Sequence, residues 1–577
     1  MARVSAPMRV VFAVAAAVTV LIGVLAVTGE GSVNPSQDRA ALTQPLSVAS
    51  APAQTHEWLT YARAATYDSV KSDVRVPLRD GKALSCVRYQ PGRDGEADGA
   101  RHPGIFLNFT PYGKENPGSM INKAPYYAER GYEVLACDVR GSGDSDGIYQ
   151  TWFQPQETRD NYDAIEWMAD QPTSTGKIAQ TGESYGSITA YRVAALRPPH
   201  LVTIIPANSP TNIYADWVYP GGIPSSSNMT VWAQLPLITD QAQVNVLKGF
   251  RDHPLYDDFW KQIATTNKLD DISIPVLHLG GYFDIFKSGG FDALAQRPDR
   301  TWLLYGPWTH VHPDEVPGEP APRNPNAIST GVLLQWLDRW LMNLDDAKLP
   351  PSRVTSFESN SSGDNGAWKA YDTWPPEDAS NQRVYPTANG GLSRTTPQAA
   401  ESAYAANGAD GPSVTSLGTL PTDPSQDQSL SDQYLSNGRG RTTRKRLTFT
   451  LPPFERNTVV TGPVTMHLRA TVTTPDAYLV SKLEVVAESG ATLPVETGYL
   501  RAQLRRGLEH EVPVIPGEPT DYTIGLGDTH WRFMSGERLR VTLSSGDAPK
   551  LDQDGPAGIV TLLHGEHTYI DYTTTPS

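Results

Sequence analysis

Ser184 stands in the run KIAQTGESYGSITAYRVAAL, Lys177 to Leu196, where a short apolar stretch breaks at Gly182, presents a serine and turns into a helix pattern. Strand, sharp turn and helix in that order form a nucleophile elbow with Ser184 at its apex. Gly182 and Gly186 flank the serine because so tight a turn leaves no room for Cβ atoms. A helix starting there sets backbone N–H groups and a positive dipole end beside the serine oxygen. A hydrolytic nucleophile needs that arrangement, first as an alkoxide-like oxygen and then beside an oxyanion. It also needs a base, and the base needs an orienting acid. Downstream, VLHLGGYFDIF sets Asp284 just past a strand-like run, and WLLYGPWTHVHP sets His310 just past the next. The order Ser184, Asp284, His310, each in a loop after a strand, is the order in which a nucleophile elbow meets its acid and its base. His312 is the rival base, but it precedes Pro313, which favours an extended surface position. The oxyanion needs two donors: one is the backbone N–H of Tyr185, and the loop NFTPYGKEN offers Tyr112 for the other.

The elements that must hold these residues alternate. VRVPLRDGKALSCVRYQP is a hairpin around Asp80-Gly81. Gly104 to Thr110, Tyr132 to Val139, Val202 to Pro206, Ile274 to Gly280 and Trp302 to Gly306 are apolar runs of buried-strand type. Helices fall between them, at Ala124 to Arg130 and Glu157 to Gln171. Leu333, Trp336, Leu337, Trp340, Leu341 and Leu344 recur at three-and-four spacing and predict one long closing helix. Strands alternating with helices mean a mostly parallel sheet covered on both faces. Asn212 to Asp271 is too long for a plain crossover and contains helical pieces, so it predicts a cap over the strand ends. Beyond Pro350 the pattern changes to loops and then to short alternating runs, LTFTL, VTMHLRATV, LVSKLEVVA, RLRVTLSS and GIVTLLHG, which predict a β-sandwich. The cluster RGRTTRKR at Arg439 to Arg446 is either an anion site or, as an acidic protein favours, a solvated loop.

The chain has 577 residues, enough for two or three domains, with 39% hydrophobic and 19% charged residues. A net charge of -15 argues against nucleic acid as a partner. Arg3 and Arg9 precede an apolar run from Val10 to Val27, which predicts export, by a cleaved signal peptide or a retained membrane anchor within residues 1–29. The mature chain would then be secreted or held at the outer face of the membrane. A linker follows over about residues 30–65. Cys86 and Cys137 lie in strands expected to be neighbours, and are either a disulfide or buried free thiols. No metal or organic cofactor is implied, and oligomeric state cannot be read from residue order.

The chain resembles the cocaine esterase-like (CocE/NonD) hydrolases and the related X-prolyl dipeptidyl-peptidases and α-amino-acid ester hydrolases. The resemblance rests on LRDGKAL from Leu78, FTPYGK from Phe109, DVRGSGDSDG from Asp138, TGESYG from Thr181, GGYFDIF from Gly280 and YGPWTH from Tyr305. GDTHWRFMSGERLRVTLSS from Gly527 continues it. It implies an α/β-hydrolase core over 66–349 with a helical cap at about 212–271, then a jelly-roll domain over 350–577. It also implies that the Tyr112 hydroxyl is the first oxyanion donor, and that aromatics of the cap and acid loop, here Trp217, Trp232 and Phe286, line the substrate pocket. Core packing is the alternative role for those three. The chain departs from the pattern in carrying Tyr282-Phe283 before the acid, and in lacking the acidic motif that holds a substrate ammonium. Glu183 and Asp216 remain as candidates for that task. The expected activity is cleavage of ester or amide acyl bonds in a small-molecule or peptide substrate. X-Pro dipeptide release and a catalytically silent glycan- or wall-binding role are the alternatives.

Overall fold

The computed structural model describes residues 51–116, 120–233, 240–308, 310, 328–361, 366–406, 434–436, 442–547, 550–552 and 555–576. The expected targeting segment at 1–29, His312 and part of the 439–446 cluster lie outside them. Among the described residues no helix is long and apolar enough to cross a membrane.

Asp68–Pro77 and Ala83–Arg93 pair as the expected hairpin, with Pro77 opposite Ala83. The second hairpin strand pairs antiparallel with Glu133–Cys137. From there the sheet is parallel. It runs through His102–Leu107, Ser174–Glu183, Leu201–Ala207, Val276–Gly281 and Thr301–Gly306. Four of these strands, at 102–107, 133–137, 276–281 and 301–306, are buried at every residue, which is why they read as continuous apolar runs. Successive residues serve opposite faces. Phe106, Leu135 and Ile178 pack with the helices Pro155–Ala169 and Tyr185–Ala194 on one side. Ile105, Val134 and Ala179 pack on the other with Ala124–Ala128 and Ile328–Leu337. Cys86 stands directly opposite Cys137 in the register, and the two are joined by a disulfide.

Two expectations need correction. The stretch read as linker over 30–65 contains a helix, Ala53–Leu59, whose Trp58 and Leu59 are buried in the second core. One aromatic and one leucine suffice to dock so short a helix when the receiving face is already built. Beside it, Arg63 and Tyr61 both bond the carboxylate of Asp338. The closing helix does not run to Leu344: Ile328–Leu337 passes into a wider π turn at Asp338–Met342 and stops at Asn343. Asn343 adopts a left-handed conformation with φ 55°, which ends the helix before its apolar stripe does.

The segment between Leu201–Ala207 and Val276–Gly281 folds as the expected cap, with helices at Ser226–Ala233, Asp240–Asp252 and Asp258–Ile263. After residue 350 the strand Val354–Asn360 first extends the parallel sheet beside Thr301–Gly306, and its end pairs with Thr520–Phe533 of the sandwich. One sandwich sheet is organised around Thr458–Val472, which pairs with Thr520–Phe533, Gly558–His564 and Tyr569–Thr575. The other is Leu447–Thr450, Arg538–Ser544, Tyr478–Val486 and Thr492–Arg501 in spatial order.

Candidate active site

The strand Ser174–Glu183 ends at Ser184, which adopts φ 55° and ψ −115°, and the helix Tyr185–Ala194 starts at once. A non-glycine residue held there stores roughly 1–3 kcal/mol of backbone strain, and both neighbouring glycines are required. A Cβ on Gly182 would lie 2.6 Å from the Gly186 carbonyl carbon, and one on Gly186 would lie 2.0 Å from Asn108 Oδ1. The same Asn108 oxygen accepts the Glu183 N–H at 3.2 Å, fixing the entry to the turn.

The two residues expected at later strand ends meet the serine. His310 Nε2 lies 2.9 Å from Ser184 Oγ, and His310 Nδ1 lies 2.8 Å from Asp284 Oδ1. The acid loop is brought to the histidine loop by backbone bonds, Tyr282 N–H to the Gly306 carbonyl and Phe283 N–H to the Trp308 carbonyl, each 3.0 Å. The backbone carbonyl of His310 accepts from Asn208 Nδ2 at 3.0 Å. Burial works to lower the imidazole pKa, but the Asp284 carboxylate, and then Glu183, overcome it and hold the pKa above the ordinary value of 6.5. The arrangement can pass the Ser184 proton to His310 while Asp284 stabilises the imidazolium.

Tyr185 heads the elbow helix, where first-turn N–H groups have no intrahelical acceptor. The Tyr112 ring meets the Tyr185 ring edge-on at 5.6 Å. The Tyr112 hydroxyl accepts a 2.7 Å hydrogen bond from Trp232 Nε1. Its proton remains free to be donated, and burial raises the phenol pKa so that the proton is retained.

The three expected pocket residues belong to one aromatic wall. Phe286 stands edge-on to His310 at 5.2 Å, and Trp217 edge-on to Phe286 at 5.8 Å. Trp152 then bridges Trp217 at 5.9 Å and Trp232 at 4.8 Å, which closes the wall at Tyr112. Trp217 and Trp232 are each 8% exposed and Phe286 3%, so all three are largely buried in this cluster. Both candidate ammonium holders are engaged. Asp216 accepts from Ser288 Oγ at 2.5 Å, with its pKa pushed up to about 7 by burial and by Asp292. Glu183 accepts from Asn208 Nδ2 at 3.4 Å. Among the described residues no group of His, Cys, Asp or Glu is arranged to hold a metal ion.

Sequence reasoning missed Trp152, Asn108 and Asn208. The two asparagines carried a signal. Each directly follows a buried strand and has positive φ, 46° and 48°, a conformation in which asparagine is enriched. Trp152 carried none, because its partners are 65 and 80 residues away in sequence.

This fold and site define an α/β-hydrolase that acts as a serine hydrolase on ester or amide bonds. Residues 80–247 and 233–312 match the family model for X-Pro dipeptidyl-peptidase (S15 family), and residues 346–575 match the X-Pro dipeptidyl-peptidase C-terminal non-catalytic domain. The two halves of the chain thus match the catalytic and the C-terminal domain models of that family in sequence order. It is 25% identical over 555 residues to cocaine esterase from Rhodococcus sp. strain MB1 Bresler, covering 85% of this chain and 93% of that one. Among solved structures, an aminopeptidase from a marine sediment Thaumarchaeota archaeon matches with a TM-score of 0.72 at 20% identity, covering 89% of this chain and 98% of that one. A CocE/NonD family hydrolase from Staphylococcus aureus matches with a TM-score of 0.67 at 19% identity, covering 90% and 100%.

Proposed function

We propose that the protein is an exported serine carboxylesterase working through an acyl-enzyme, with Ser184, His310 and Asp284 as its catalytic triad. The observation that carries this is the single imidazole bridging Ser184 Oγ at 2.9 Å and Asp284 Oδ1 at 2.8 Å, beside a wall of aromatic edges. His310 removes the Ser184 proton as the oxygen attacks the substrate carbonyl. The Tyr112 hydroxyl and the Tyr185 N–H hold the oxyanion. His310 then gives its proton to the leaving group, and water repeats the sequence on the acyl-enzyme. An ester is favoured over an X-Pro peptide because Lys287 of the acid loop is paired with Glu496, and Asp216 and Glu183 are engaged with Ser288 and Asn208. Trp217, Trp232 and Phe286 serve as the acyl-facing wall, as a mostly apolar site requires. Export is supported by the amino-terminal charge and hydropathy pattern and by the Cys86–Cys137 disulfide, a bond of oxidising compartments.

A fluorophosphonate probe should label wild-type protein and not Ser184→Ala, and the variant should lose hydrolysis of a short-chain nitrophenyl ester. Near-normal turnover by Ser184→Ala would overturn the triad. Faster release from an X-Pro anilide than from the nitrophenyl ester would move the assignment to the peptidase, and an unlabelled wild type to the silent binder. Amino-terminal sequencing of protein from the medium and from membranes tests export.

A further inference from the structure

Glu157 is buried, ionisable and unused by the steps above. It lies in the first turn of Pro155–Ala169, where the helix dipole favours a carboxylate. Its Oε2 accepts a 2.8 Å hydrogen bond from the hydroxyl of Tyr185. That hydroxyl is also 3.0 Å from the Tyr149 hydroxyl and accepts the Phe153 N–H at 3.3 Å. The Phe153 ring stacks on the Tyr185 ring at 4.2 Å, and the Tyr112 ring meets it edge-on at 5.6 Å. The side chain of the residue whose N–H faces the oxyanion is therefore held at its tip, on its face and at its edge.

The groups that act on Glu157 or feel its charge are Tyr185, Tyr149, Tyr112, Arg192, Asp160 and the Phe153 backbone N–H. Arg192 spends its guanidinium on the carbonyls of Phe153, Gln262 and Ile263 and on Thr158 Oγ1. Among the described residues Glu157 has no ion pair, and burial pushes its pKa up to about 7. A buried carboxyl with no cation bonded to it is costly where a leucine would pack without penalty. A helix-capping carboxylate would contribute stability alone. Its bond to the oxyanion residue gives this one a different consequence.

We propose that Glu157 is a positioning residue: through the Tyr185 hydroxyl it fixes the angle at which the Tyr185 backbone N–H meets the oxyanion. The proposal rests on the serine-hydrolase reading above. Tyr185→Phe keeps the ring and the amide but removes the anchored hydroxyl, and Glu157→Leu removes the acceptor. Each should lower kcat for a nitrophenyl ester about tenfold or more with KM held within about twofold, because the oxyanion exists only beyond the ground state. Active sites are counted by fluorophosphonate titration, so that misfolded protein does not enter the rate. Glu157→Gln, still an acceptor, should stay within about threefold of wild type, and the double variant should be no slower than the slower single, since both act through one bond. A Tyr185→Phe enzyme with kcat within about threefold of wild type overturns the proposal whether or not Glu157→Leu folds. So does a loss shared equally between kcat and KM, or losses that multiply in the double variant. Failure of wild type itself to take the probe sinks the serine-hydrolase reading instead, and is seen before any variant is made.

Discussion

Tyr112→Phe separates the oxyanion role proposed for the Tyr112 hydroxyl from the hydrogen bond it accepts. The hydroxyl accepts from Trp232 Nε1 at 2.7 Å, and its ring stands edge-on to that of Tyr185 at the elbow. Removing it deletes one of two oxyanion donors, which costs roughly 100- to 1,000-fold in kcat, or about 2.7–4 kcal/mol of barrier. The loss must fall on kcat with KM nearly unchanged, because the substrate carbonyl is not yet an oxyanion in the Michaelis complex. The same change orphans the indole N–H of Trp232, which is 8% exposed and so cannot be rescued fully by water. That costs about 1–3 kcal/mol of stability, or a few degrees in Tm for a domain of this size. The two effects are independent in origin, so a second variant divides them. Trp232→Phe removes the N–H and leaves the hydroxyl, and should lower Tm while keeping kcat within about tenfold of wild type; any loss arises only from the less polarised phenol. Stopped-flow or steady-state hydrolysis of a nitrophenyl ester, with calorimetry on the same samples, reads both. A Tyr112→Phe enzyme within about threefold of wild-type kcat would falsify the assignment of that hydroxyl to the oxyanion.

The pH profile and the disulfide give two further tests. His310 must be neutral to act as base, and Asp284 and Glu183 hold its pKa above 6.5 against the opposing effect of burial. The acid limb of kcat/KM should therefore fall at a pH above the ordinary imidazole value and move down in Asp284→Asn, alongside that variant's loss of rate; a wild-type limb below about 6 contradicts the charge argument. The Cys86–Cys137 bond closes a separation of 51 residues. Its full reduction should cost up to about 4 kcal/mol in denaturant unfolding, and an unchanged midpoint in protein shown by alkylation and mass to be reduced refutes that contribution.

The elbow was legible because its constraints are local. Gly182 and Gly186 are fixed by atoms within the turn and by Asn108, and the serine by the strand-to-helix switch. Asp284 and His310 were legible for a related reason: each follows a fully buried strand, and parallel strands bring their carboxyl ends to one edge. What could not be read is what chain-distant partners decide. Trp152 completes the aromatic wall from a loop with no periodicity of its own. The helix at Ala53–Leu59 forms against a core supplied by residues far along the chain. The sandwich strands Thr520–Phe533 and Tyr569–Thr575 were passed over because their half-buried alternation is broken by aspartate, glycine and histidine that pack only once Thr458–Val472 lies beside them. The end of the closing helix depended on the backbone of one residue, Asn343, against an apolar stripe that continued past it.

The acid loop explains why three structural units share one site. Between Tyr282 and Ser288 the side chains reach the sheet edge, the sandwich, the histidine loop and the cap. Tyr282 bonds Ser356 at 2.7 Å under the sheet edge, and Phe283 meets Trp531 of the sandwich core at 6.4 Å. Asp284 turns to His310, and Phe286 to the cap through Trp217. Lys287 pairs with Glu496 of the sandwich, and Ser288 bonds Asp216 at the root of the cap. Lys287 sits where burial, and then Lys550, push its ammonium pKa down to about 7, against Asp528 and Asp547, which raise it. Breaking one side of a buried ion pair leaves the other uncompensated, which costs more than the pair contributes. A displaced sandwich therefore cannot leave the acid loop unaffected, and the loop cannot move without carrying the Asp284 oxygen away from the imidazole. The all-β domain holds one wall of the loop that carries Asp284 to the imidazole.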